Sequence, residues 1–134
     1  MHLGDLSPDS TADLLRFRAE TKTVNGKKRM AYTLKDSGAS TPYIDSAYSD
    51  SLGLKRKRRG WMKVHTAGRK QVLRKELVWL DGRLRCPGTI DISGWYTVFD
   101  LRGRFNLILG KEWMEENPHF VNHGDNTLSL LDAD

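Results

Sequence analysis

The chain has 134 residues, enough to bury one core and too few for two ordinary domains. With 38% hydrophobic and 29% charged residues it falls among globular chains rather than disordered ones, and no apolar run approaches the ~20 residues of a membrane-spanning helix. Its net charge of +5 comes from 22 basic and 17 acidic residues; Lys55, Arg56, Lys57, Arg58 and Arg59 alone supply that excess, which argues against a generally basic nucleic-acid binder.

Residues 1–15, with Asp5, Asp9, Asp13 and the turn signals Ser7-Pro8 and Ser10-Thr11, read as a flexible leader, and residues 16–134 as one domain. Arg16 to Val24 and Lys28 to Leu34 are rich in Thr, Val, Tyr and Phe. They flank Asn25-Gly26, the dipeptide suited to a two-residue type I′ turn, and so predict a β-hairpin. The second strand ends at Asp36-Ser37-Gly38-Ala39-Ser40. After a short extended piece at Tyr43-Ile44, Asp45-Ser46 caps a helix over Ala47 to Leu52 that stops at Gly53. The basic run 55–59 follows as a loop.

Trp61 to Thr66 and Gln71 to Leu80 read as strands around the tip Ala67-Gly68-Arg69-Lys70. Asp81-Gly82 marks a further tight turn into a strand over Arg83 to Cys86. Strands are expected at Trp95 to Leu101 and Phe105 to Leu109. A helix over Lys111 to Glu116 halts before Pro118, because the residue preceding a proline avoids the α region. Phe120-Val121 and Thr127 to Leu130 complete the domain. Many short strands punctuated by turns, with one or two short helices, describe an all-β barrel or sandwich.

Asp-Ser-Gly alone is a weak motif, and a turn or helix-cap aspartate would also satisfy it. The ordered set is more specific. It comprises the Asn25-Gly26 hairpin, Asp36-Ser37-Gly38-Ala39-Ser40, Leu52-Gly53-Leu54, a hairpin tip near Gly68, Ile108-Leu109-Gly110-Lys111-Glu112-Trp113-Met114, and Asn117-Pro118. Over residues 16 to 131 the sequence resembles the retropepsin-like aspartic protease domain of gypsy-like long-terminal-repeat retrotransposons and retroviruses. The resemblance implies an acid-protease barrel that forms half of a two-fold dimer.

The chemistry fits these residues. Hydrolysing a peptide bond with neither metal nor covalent intermediate takes a base to activate water and an acid to protonate the leaving amine. Two carboxylates sharing one proton supply both, because like charges a few ångströms apart do not both ionise cheaply. The motif occurs once, so the second carboxylate has to come from another copy of the chain. By resemblance Asp36 is the catalytic aspartate, and the Ser37 hydroxyl bonds across the two-fold axis. Gly38 admits close backbone approach and offers its N–H to the carboxylate, while Ala39 and Ser40 support the loop. Thr66, Ala67 and Gly68 occupy the place of a flap closing over an extended substrate. Ile108, Leu109 and Gly110 match the apolar strand beneath the catalytic loop.

Lys35 departs from the apolar residue usual before the motif aspartate, although strand alternation directs it away from the Asp36 side. Gly68-Arg69-Lys70 replaces the Asp-Gly pair common at the flap tip, Asn106 stands where Asp is frequent, and Glu112 is a further mild change. Other chemistry is weakly supported. His119 and His123 lie in a turn-rich segment, and His65 has no Cys or acidic partner at ligand spacing, so surface or turn histidines are favoured and no metal or other cofactor is expected. Cys86, the one cysteine, has no disulfide partner and no adjacent base, which fits a reducing compartment. Trp61, Trp79, Trp95 and Trp113 are widely spaced and read as core or pocket packing.

The function expected is thus an aspartic endopeptidase, active as a homodimer, cutting extended, apolar-flanked segments of a retroelement polyprotein in the cytoplasm or within virus-like particles. The alternative is a catalytically inactive or domesticated dimerisation module of the same fold, with Lys35 as its main hint. A weaker third reading has Lys55 to Arg59 contacting RNA, against a solvated loop; no membrane partner is expected.

Overall fold

The computed structural model describes residues 15–36, 38–66, 68–86, 88–116, 120–122 and 128–130; the expected leader, apart from Leu15, lies outside the described residues. Strands β1 (Leu15–Lys22) and β2 (Lys28–Lys35) form the first hairpin. Asn25-Gly26 predicts a type I′ turn, but only Gly26 has positive φ, at 82°. Gly26 N–H bonds the Thr23 carbonyl at 2.9 Å, and Thr23 N–H bonds the Lys27 carbonyl at 2.8 Å. The loop is therefore a turn followed by a left-handed glycine, the three-residue alternative to the two-residue turn.

After β3 (Tyr43–Asp45) comes α1 (Ser46–Ser51), delimited as its sequence suggests. Asp45 is the N-cap and accepts the Tyr48 N–H at 3.2 Å. Gly53, at φ 75°, bonds back to Asp50, and Leu54 to Ser49, the paired bonds of a Schellman stop. Strand β4 (Lys57–Thr66) starts inside the basic run, so Lys57, Arg58 and Arg59 belong to a strand rather than to the expected loop. It pairs with β5 (Arg69–Leu80), with a register shift between Arg58 and Trp61, where Gly60 takes φ 78°.

Asp81-Gly82 is not a hairpin turn. Strand β6 (Gly82–Cys86) leaves β5 and pairs with β1 and with β7 (Gly88–Asp91), a strand the sequence pattern did not suggest. The chain continues through β8 (Gly94–Phe99), β9 (Leu107–Leu109) and α2 (Lys111–Glu116), and then the β10 (Phe120–Asn122) and β11 (Leu128–Leu130) pair. The main sheet runs β4-β5-β8-β3-β9-β2-β1-β6-β7. Among the described residues the structure is thus all-β with two short helices, the class expected from the sequence.

The centre of this sheet positions the site. β9 lies between β2 and β3, parallel to the first and antiparallel to the second. All three of its residues are buried, as a central strand covered on both faces requires. Leu107 and Leu109 join one cluster with Ala31, Ile44, Val98 and Trp113, whereas Ile108 joins another with Leu34, Ala39, Tyr43, Leu101 and Phe105. Each large aliphatic side chain so buried contributes roughly 1.5–3 kcal/mol.

Candidate active site

Asp36 immediately follows β2, at the start of the loop that leads to β3, and β9 runs between those two strands. Its backbone N–H donates to the Leu109 carbonyl at 2.9 Å, so the aspartate is still fastened to the end of β9. Its carbonyl accepts the Ala39 N–H at 3.1 Å, closing a four-residue turn, and its Oδ1 accepts the Gly38 N–H at 2.8 Å. The carboxylate is half-buried, and the Gly38 N–H is its observed partner among the described residues. A Cβ added to Gly38 would lie 3.1 Å from that same Oδ1, so glycine leaves room for the carboxylate as well as donating to it.

Ala39 is fully buried in the second cluster and ties the loop to the next helix, its carbonyl accepting the Lys111 N–H at 2.7 Å. Gly110 passes so close beneath that a Cβ there would lie 2.3 Å from the Ala39 carbonyl oxygen and 2.9 Å from that of Thr41. No rearrangement of a side chain relieves such a contact, because the obstruction is backbone; this position admits glycine alone. Ser40 is exposed beside the turn. Tyr43, packed under the loop, has its phenol pushed above its ordinary value by burial, against the opposing effect of a bond with the Thr41 side chain.

The structure therefore brings together Asp36, Gly38, Ala39, Ser40, Ile108, Leu109 and Gly110. Ser37 and Ala67 lie outside the described residues. Thr66 ends β4, paired with Arg69, and Gly68 turns the chain at φ 78°, so Arg69 and Lys70 belong to β5 rather than to the tip. This hairpin reaches the Asp36 loop only through β8, β3 and β9 in the sheet order. Lys35 is half-buried and pairs with Leu15 and Leu109; it shares strand parity with buried Ala31 and Thr33, whereas Asp36 shares that of Leu34.

Two positions matter more than their sequence context suggests. Asn106 clamps β2 to the strand beside it. Its Oδ1 accepts the Tyr32 N–H and its own N–H donates to the Tyr32 carbonyl, both at 2.7 Å, while its carbonyl accepts from Asp45 at 2.8 Å. Asp45 both caps α1 and accepts the buried Leu101 N–H at 2.8 Å, holding the β8–β9 connection. A capping signal reveals the first role of Asp45; nothing local reveals the second, which spans 56 residues.

The histidine expectations fall partly outside the described residues, since His119 and His123 are not among them. Among the described residues no three His, Cys, Asp or Glu side chains form a group able to hold a metal, and no helix is long and apolar enough to cross a membrane. The tryptophans correct the sequence reading. Only Trp113 is buried; Trp61, Trp79 and Trp95 are 64%, 52% and 44% exposed.

No protein-family model matches the chain, and no curated protein does. Among solved structures it is similar to the retroviral protease-like domain of Ddi1 from Leishmania major, at 13% identity and a TM-score of 0.48, over 89% of this chain and 88% of that one.

Proposed function

We propose that the protein is an aspartic endopeptidase that works as a homodimer, with the Asp36 carboxylates of two copies forming the acid-base pair. The observation that carries this reading is the Asp36 loop: a carboxylate held by the Gly38 N–H at 2.8 Å, on a turn that Gly110 underpins by backbone contact. Such a turn fixes the position of the carboxylate, as general acid-base work requires. In the dimer one carboxylate, ionised, takes a proton from water, and the other, protonated, bonds the scissile carbonyl oxygen. The proton then passes to the leaving amine, and the pair returns to its singly protonated state.

The β4/β5 hairpin is the element available to close over an extended peptide, whose main chain would pair with strand backbone while side-chain pockets select apolar residues. By the motif resemblance, the substrate class is the polyprotein of a retroelement, processed in the cytoplasm or in virus-like particles. Sedimentation of the purified protein, together with digestion of an apolar-rich peptide library with and without a statine-type inhibitor, tests the reading. Inhibitor-sensitive cleavage by a dimer is expected. A dimer that cuts nothing across the acid and neutral range would instead favour the inactive dimerisation module, and a protein that stays monomeric while cleaving would rule out the shared pair.

A further inference from the structure

The positive charge is concentrated on one element to a degree the 55–59 run does not convey. The β4/β5 hairpin, residues 57–80, carries eight of the 22 basic residues and one of the 17 acidic ones. That acid, Glu76, is engaged by Arg56 at 3.4 Å. Cross-strand register puts Trp61 opposite Arg74, Lys63 opposite Val72, and Lys70 one pair further on, all on one face. All five side chains are exposed, Trp61 at 64% and Val72 at 62%. The Arg74 guanidinium lies 4.9 Å from the centroid of the Trp61 ring, covering one side of the indole. Among the described residues Lys63, Lys70 and Arg74 make no ion pair.

We infer that this face of the hairpin binds single-stranded nucleic acid, a base stacking on Trp61 and the phosphates lying along Lys63, Lys70 and Arg74. Cations alone would suit any polyanion, and an exposed indole alone any apolar surface. An indole flanked on the same two-stranded face by three unpaired cations matches a ligand that alternates a flat ring with a phosphate. The neighbouring apolar contact, Val72, suits the edge of a base or sugar. Duplexes, whose bases are stacked inside, offer that indole nothing.

Fluorescence anisotropy with labelled 15-nucleotide oligo-U and oligo-dT, at salt from about 50 to about 200 mM, tests this, the two oligomers reporting any preference for RNA or DNA. Binding is expected to weaken with salt at a log–log slope of about −2, from about −0.7 for each of three phosphates. Trp61→Ala should weaken binding about tenfold while Trp61→Phe keeps most of it. The triple variant Lys63→Gln, Lys70→Gln, Arg74→Gln should abolish both the binding and its salt slope, with circular dichroism confirming that it is folded. No binding at the lowest salt, equal affinity for a duplex or for polyglutamate, or full affinity in Trp61→Ala would each overturn the proposal. Peptidase activity does not enter this readout, so it stands or falls apart from the Asp36 reading.

Discussion

Around Asp36 the backbone is held at nearly every step. Asp36 bonds Leu109 and Ala39, Gly38 bonds the carboxylate, and Ala39 bonds Lys111, while Gly110 has no room even for a methyl group. Along the β4/β5 hairpin the situation reverses. The backbone ladder is regular apart from one bulge, a Cβ on Gly60 or Gly68 would meet nothing within 4 Å, and large side chains project into solvent. In the first region steric exclusion dictates the residue at Gly110, so substitution there should register as lost folding. In the second, surface chemistry dictates residue identity, so substitutions should register as altered binding with the fold intact.

The sharpest way to break this contrast is Gly110→Ala. With backbone oxygens at 2.3 and 2.9 Å from the new Cβ, a loss beyond about 3 kcal/mol or failure to fold is expected in urea unfolding. Gly60→Ala meets no atom and bears only the left-handed φ, about 1–2 kcal/mol. Equal losses for the two would remove the steric account. Asp45→Ala comes next, at about 2–3 kcal/mol, because it leaves a buried Leu101 N–H unpaired and removes the cap of α1.

Alkaline pH probes the core between the regions. Tyr96 is buried, its hydroxyl donates to the Ile92 carbonyl at 2.8 Å, and burial pushes its ionisation far above the ordinary 10.0. A raised folded-state value means that the stabilisation is complete below pH 10 and is lost as pH climbs above it. Thermal melting should therefore fall steeply above that pH. Tyr96→Phe should flatten the fall while costing about 1 kcal/mol near neutrality through the lost bond. An unchanged slope in that variant would assign the alkaline loss to other groups, Tyr43 and Tyr48 being the next candidates.

The smallest effects belong to the exposed aromatics. Trp79 packs edge-on against Trp95 at 5.4 Å, so Trp79→Ala should cost about 0.5–1.5 kcal/mol. Trp61→Ala should cost no more than about 0.5–1 kcal/mol, the worth of an exposed cation–π contact with Arg74. A larger loss from Trp61→Ala would make the hairpin a structural element like the Asp36 loop and erase the distinction between the two regions.

What the sequence disclosed follows the range of the interactions concerned. α1 was legible because Asp45 and Gly53 act within one turn of it, and α2 because Lys111 to Glu116 is bounded by Gly110 and Pro118. The Asp36 loop was legible as a motif, and its link to Gly110 came from the ordered resemblance, not from any local signal. The pairing of β6 with β1 was hidden, since Asp81-Gly82 is locally indistinguishable from a hairpin turn and the partner lies some sixty residues earlier. β7 follows Pro87 and is only four residues long, too short for an alternating pattern. The tryptophans misled because hydrophobicity alone does not tell which face of a strand meets the core: Trp79 and Trp95 sit beside buried Val78, Leu80 and Tyr96 on the opposite parity, and Trp61 lies on the face of β4 opposite buried Val64.

The central claim is that two copies of Asp36 make one catalytic pair, and the most direct measurement is subunit mixing. Peptide cleavage by a fixed amount of wild-type protein is followed while folded Asp36→Asn chain is added and allowed to exchange. Each mixed dimer lacks one carboxylate, so a ninefold excess of the variant should cut the rate about tenfold. A rate that stays constant, or cleavage by Asp36→Asn alone, would contradict the shared pair.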